Sequence, residues 1–236
     1  MKIMWGFSIF VKLISLVFML NLNNNVGFLF DLDGVIIDSE NEYTNIWTII
    51  EQEFPTGEEN FPNKIKGTTL SNILSTYYFD DNTRKAVEKR LHELENQMSY
   101  KYCPHAEEFL VDLKKHGLPC SLVTSSDDEK MKTLFCQHPE LKGYFDCIVT
   151  GNLVKYSKPS PEGYLLAASK IIVPPENCVV FEDSLQGVMA GIDAGCYVVG
   201  VCGTLPKEIL APYSHALIEN FSEINLDNLI HTLQLR

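Results

Sequence analysis

Five short apolar runs punctuate the chain: Val26–Phe30, Ser121–Val123, Cys147–Val149, Cys178–Phe181 and Tyr197–Val201. Each is continuously apolar rather than alternating, the pattern of strands covered on both faces. Between them lie segments of helical character, Ala106–His116, Asp128–His138, Glu162–Lys170 and Leu185–Ala194. Alternating strands and helices predict an α/β fold, a doubly wound parallel sheet with helices on both sides.

One interval breaks this rhythm. Residues 40–102 carry no strand pattern and read as helices, Asn41–Phe54, Leu70–Tyr78 and Asp81–Tyr102, with a loop across Pro55–Pro62. The block is too long for an ordinary connection. It predicts an inserted helical cap that returns to the core near Pro104. The expected organisation is therefore a catalytic core of residues 26–39 and 103–236, a cap of residues 40–102, and a leader of residues 1–25. In the leader, Met1–Leu20 is largely apolar, but Lys12 interrupts it and no Ala-x-Ala cleavage site precedes Val26. As a spanning helix it would put Lys12 near the membrane centre, at a cost of about 2.5–3.5 kcal/mol. The favoured expectation is a non-essential leader on a cytoplasmic protein. Membrane contact through residues 1–20, as an uncleaved anchor, and a true start at Met19 are the alternatives.

Composition narrows the function classes. The chain has 236 residues, 45% of them hydrophobic, enough for a core domain with a small insert. Its formal net charge of −12 makes a nucleic-acid partner a poor expectation, since phosphate backbones attract basic surfaces. A small anionic substrate would need local neutralisation by a metal or a placed lysine. The seven cysteines are odd in number and contain no Cys-x-x-Cys pair, which fits a reducing compartment better than a disulfide framework. The chain is expected to act as a monomer.

Four polar motifs follow the apolar runs. Asp31 and Asp33 stand one residue apart at the end of the first run, with Gly34 permitting a sharp turn. Two acids at the carboxyl edge of a strand occupy the place where open α/β sheets put their ligands. Asp31 could attack a phosphorus atom there while Asp33 protonates the leaving oxygen. An acidic turn exposed to solvent is the simpler rival. Glu182 and Asp183 end another run, followed by Ser184. Two acidic strand ends converging would repel unless a cation joined them, and oxygen ligands of this kind suit Mg²⁺. Helix capping by Asp183 or Ser184 is compatible with that role. Lys158, before Pro159, could neutralise Asp31 and a bound phosphate, although a lysine before proline is more often an exposed loop charge. Thr124, Ser125 and Ser126 offer hydroxyls and backbone N–H groups to a phosphoryl oxygen, or simply lead into the following helix.

Taken in order, the four motifs resemble those of the haloacid dehalogenase-like hydrolase superfamily, in the beta-phosphoglucomutase-like branch with a small helical cap. The resemblance runs from Val26 to Leu217. It implies a Rossmann-like core and an Mg²⁺-dependent phosphatase, with Asp31 as nucleophile and Asp33 as general acid and base. It implies Thr124, Ser125 and Lys158 as phosphate-binding residues. It also implies a metal held by Asp31, the backbone carbonyl of Asp33, Asp183 and Glu182, with Asp183 the better placed of the last two. Asp33 argues against dehalogenation, which needs no proton donor at that position. Sugar-phosphate mutases of this branch carry a cap histidine and a cap arginine where this chain has Tyr43 and, after Lys66-Gly67, Leu70. Those departures favour a phosphatase over a mutase. Tyr43 and Lys66 are the cap residues expected to meet the substrate. A non-catalytic binding module on the same fold is the remaining alternative.

Overall fold

The computed structural model describes residues 26–66, 68–224 and 226. The leader of residues 1–25 lies outside the described residues. Six strands form one parallel sheet: β1 (Gly27–Phe30), β2 (Cys120–Val123), β3 (Cys147–Val149), β4 (Cys178–Glu182), β5 (Tyr197–Val201) and β6 (Ala216–Ile218). Their order is β3-β2-β1-β4-β5-β6. Every pairing is parallel, with Phe30 opposite Leu122 on one side and Phe181 on the other. β6 carries no run long enough to stand out from its flanking residues, so pattern alone does not predict it.

Residues of β1 are buried on both faces, which is why that strand reads as unbroken apolar sequence. On one face Phe30 stacks on Phe181 with ring centroids 4.9 Å apart. Phe109 and Phe221 close over them at centroid distances of 5.8 and 5.3 Å from Phe181. On the other face Leu29 and Val180 pack with Tyr164 and Val198. The connections leave β1 for β2 on one side and β4 lies on the other. The direction of winding therefore reverses beside β1, and a crevice opens at the carboxyl ends of the strands.

Helices α1 (Glu40–Glu53), α2 (Phe61–Lys64), α3 (Leu70–Tyr77) and α4 (Asp81–Glu95) form the cap. The expected loop across Pro55–Pro62 gives way at Phe61 to α2, because Phe61 is a buried anchor between Trp47 and Tyr77, with ring centroids 5.8 and 5.1 Å away. The third expected helix, Asp81–Tyr102, is a correction: α4 ends at Glu95. Tight bonds from the Gln97 and Met98 N–H groups to the Leu94 and Glu95 carbonyls close the last turn. The chain must then extend so that Tyr102 can pair antiparallel with Ile37, where the two linkers cross side by side. Further along, α5 (Ala106–Lys115), α6 (Asp128–Gln137), α7 (Leu141–Tyr144), α8 (Glu162–Lys170), α9 (Leu185–Asp193) and α10 (Lys207–Leu210) cover the sheet.

Because Phe30 has no exposed surface, Phe30→Ala should destabilise the fold by roughly 3–5 kcal/mol through lost burial and the cavity left behind. Urea denaturation monitored by circular dichroism measures this, and a loss below about 1 kcal/mol would contradict the central place given to this stack.

Candidate active site

The end of β1 delivers Asp31 into the crevice, its backbone N–H bonded to the Phe181 carbonyl at 3.0 Å. The chain then turns sharply through Gly34, whose φ of +75° favours glycine. Space gives a second reason: a Cβ there would come within 2.0 Å of Asp183 Oδ2 and 2.6 Å of Thr204 Oγ1. The tight turn thus brings the first acidic motif against the second.

Lys158 joins the strand ends. Its ammonium donates to Asp31 Oδ1, to Glu182 Oε1 at 2.6 Å and to the Val123 carbonyl at 3.2 Å, which uses all three N–H groups. Glu182 is fully buried, and its remaining acceptors are filled. Tyr164 donates its hydroxyl to Oε1 at 2.9 Å, while the Ser184 N–H and hydroxyl both donate to Oε2 at 3.0 Å. Ser184 also caps α9 by accepting from the Gly187 N–H at 3.0 Å. Gly187 leaves the room that the carboxylate occupies, since a Cβ there would lie 1.7 Å from Glu182 Oε1.

Acidic groups crowd this cluster. Oxygens of Asp31, Glu182 and Asp183 lie within 4.8 Å of one another, all three residues buried, and Lys158 pairs with the first two. Burial pushes the Asp31 carboxyl up to about 7, and the nearby Glu182 and Asp33 charges add to the rise against the pull of Lys158. Burial disfavours the Lys158 charge, yet Asp31 and Glu182 outweigh it and hold the ammonium above its ordinary range. A divalent cation beside Asp31 and Asp183 is what this cluster of carboxylates fits.

The Asp33 side chain stands outside that cluster. Its Oδ1 accepts from the Ser39 hydroxyl, and its Oδ2 from Ser126 Oγ at 3.1 Å and Lys130 Nζ at 2.5 Å. Ser39 precedes α1 but leaves it without a side-chain cap, its hydroxyl being committed to Asp33. Asp31, Asp33, Tyr43, Lys66, Ser125, Asp183 and Ser184 line a cavity of about 110 Å³ between cap and core. Trp47, Ile65, Ile73 and Leu91 supply its apolar cap wall. Thr124 is buried and outside this lining, its Oγ1 accepting from the Ser126 N–H at 3.0 Å. Lys158 is likewise buried outside the lining and bonded to Asp31. Tyr43 is tied to the cap by donating its hydroxyl to Glu95 Oε1 at 2.7 Å.

Several residues here carry no signal in the sequence. Lys130 sits in Asp127-Asp128-Glu129-Lys130, which reads as a solvated first turn, yet it is 4% exposed. Glu95 lies in a highly charged helix and is buried, and Tyr164 reads as core. Only the three-dimensional contacts single them out.

Residues 28–201 match the family model for haloacid dehalogenase-like hydrolases. The chain belongs to that family. Within it the protein is a phosphoric monoester hydrolase of the beta-phosphoglucomutase-like branch. It is 31% identical over 183 residues to hexitol phosphatase A of Escherichia coli, covering 74% of this chain and 82% of that protein. It is 31% identical over 213 residues to a phosphorylated carbohydrates phosphatase of Thermotoga maritima, covering 84% of this chain and 96% of that one. Its backbone matches beta-phosphoglucomutase of Clostridium difficile with a TM-score of 0.73 at 22% identity, covering 89% and 98% of the two chains, a likeness of fold. Among the described residues, no helix is long and apolar enough to cross a membrane.

Gly187→Ala should displace the Glu182 carboxylate and loosen Lys158 from Asp31. The expected loss is about 1–3 kcal/mol of stability by overpacking, together with most of the hydrolase activity. Thermal unfolding and phosphate release measured on the same sample check both, and an unaffected variant would show that Glu182 need not sit where it does.

Proposed function

We propose that this hydrolase is an Mg²⁺-dependent phosphatase acting on a small phosphate ester, a sugar or polyol phosphate, through an aspartyl-phosphate on Asp31. The observation that carries the reading is the placement of the Asp31 carboxylate at the switch point of the sheet, held by Lys158 with Asp33 on the adjoining cavity wall. The named activities of the Escherichia coli and Thermotoga maritima relatives support the substrate class.

In the first step an Asp31 oxygen forms a bond to phosphorus and the bond from phosphorus to the ester oxygen breaks. The proton of Asp33 goes to the departing alkoxide, which leaves as the alcohol. In the second step water attacks the same phosphorus, Asp33 takes its proton, and the bond to Asp31 breaks to release inorganic phosphate. Lys158 neutralises Asp31 as it approaches the dianion, and Ser125 with Thr124 offers donors to the phosphoryl oxygens. Asp31, Asp183 and the backbone carbonyl of Asp33 would hold the metal; Glu182, its acceptors filled, serves as the counter-ion that seats Lys158. A bound Mg²⁺ supplies positive charge to the phosphoryl oxygens. The cap excludes bulk water, with Tyr43 and Lys66 on the cavity wall to meet the substrate. Tyr43 and Leu70 on this wall, in place of the mutase histidine and arginine, favour hydrolysis over transfer to a second hydroxyl.

A panel of small phosphate esters, assayed for phosphate release with Mg²⁺ and with EDTA, tests the proposal. Release should require Mg²⁺; a folded protein that releases none in either condition would falsify it. Conversion of a hexose 1-phosphate to its 6-phosphate isomer would identify a mutase instead. Asp31→Asn should abolish turnover in a folded protein, and Asp33→Asn should slow it by roughly 10²–10⁴-fold. Mg²⁺ should raise the Tm of the wild type and leave that of Asp183→Asn unchanged, as linkage requires of a ligand that binds only the native state. An equal rise in both proteins would remove Asp183 from the metal site.

A further inference from the structure

Lys130 is a buried ammonium with no part in the steps above. It stands on the first turn of α6, its backbone N–H accepted by the capping carboxylate of Asp127 at 2.9 Å. From there Nζ reaches Asp33 Oδ2 at 2.5 Å on one side and lies 4.1 Å from the centroid of the Tyr43 ring on the other. A cation against an aromatic face is stabilised there and shielded from water, so the ring directs the ammonium toward the carboxylate. The ring is itself fixed, because its hydroxyl donates to Glu95, whose second oxygen meets His92 Nδ1 at 2.9 Å.

These contacts constrain the Asp33 carboxylate. Oδ2 receives Lys130 and Ser126, which fills its two acceptor sites, and Oδ1 receives Ser39. Among the described residues, Oδ1 therefore keeps one lone-pair direction open. Of the three donors Lys130 is the charged one, and a charge-assisted hydrogen bond fixes the orientation of the carboxyl group more firmly than a neutral one.

We propose that Lys130 is a positioning residue for the second half of the reaction: pressed between Tyr43 of the cap and Asp33, it fixes the orientation of the Asp33 carboxyl group so that Oδ1 faces the proton of the attacking water. The inference rests on the aspartyl-phosphate reading above. In the step it serves, the water oxygen bonds to phosphorus and the water proton passes to Asp33 Oδ1. The Asp31–phosphorus bond breaks with its electron pair returning to the Asp31 carboxylate. Asp33 then carries the proton that the next leaving group needs. Proximity of cap and acid follows from the same residue, since the ring that covers Lys130 belongs to α1.

The test uses the full chain with Mg²⁺ and ³²P-labelled acetyl phosphate, quenched in acid to trap phosphoenzyme. Acetate leaves without protonation, so formation of the phosphoenzyme is insensitive to Asp33 and its breakdown is not. Asp33→Asn is the reference and should accumulate phosphoenzyme. Lys130→Met should form phosphoenzyme near the wild-type rate, accumulate it, and turn over about 10–100-fold more slowly, within the range of general-base effects. Lys130→Arg, which keeps the charge, should restore much of the breakdown rate. If Lys130→Met does not fold, as judged by thermal unfolding, Lys130→Gln takes its place. Wild-type turnover in the variant, or equal loss of formation and breakdown, would overturn the inference. Should Asp33→Asn accumulate phosphoenzyme and the Lys130 variant not, this inference alone falls. Should Asp33→Asn accumulate none, the aspartyl-phosphate reading falls and this inference with it.

Discussion

The site depends on one buried ion cluster, the ammonium of Lys158 set between Asp31 and Glu182. It ties the end of β1 to the end of β4 and, through the Val123 carbonyl, to the end of β2. Two strand ends that would otherwise present repelling acids, and the carbonyl end of a third, are drawn together by one cation. Breaking such a buried pair from one side leaves an uncompensated charge, which is why its supports are so complete. Tyr164 and Ser184 fill the remaining acceptors of Glu182, and Gly187 yields the volume that its carboxylate needs.

Three buried carboxylates gather at this point, and burial raises the carboxyl pKa of Asp31. An acidic cluster of this kind fits a divalent cation. Asp33 belongs to a different electrostatic neighbourhood, paired with Lys130 under Tyr43, and the separation suits the different work proposed for it. Two aspartates two positions apart in sequence thereby have unlike surroundings, because each has its own lysine.

The sheet was legible in the sequence because β1, β2, β4 and β5 are covered on both faces and so appear as unbroken apolar runs. Acidic residues at the carboxyl ends of β1 and β4 marked the candidate edge. The cap was legible as a helical block of the wrong length for a connection, but its details were not. The end of α4 at Glu95 is dictated by the need for Tyr102 to reach Ile37, a pairing across more than sixty positions of chain that local periodicity cannot register. α2 exists because Phe61 has Trp47 and Tyr77 to pack against.

For the candidate site, sequence by itself determined which acids and hydroxyls stand at the strand ends, because residue type and strand position are local properties. It also determined that Gly34 could turn beneath them. Tertiary structure alone decided that Glu182 bonds Lys158, that Thr124 accepts from the Ser126 N–H, and that Lys130 is a partner of Asp33 rather than a solvated charge. The reason is physical: a charge reads the same in sequence whether water or protein surrounds it. Only the packing of distant segments settles which partner replaces the water.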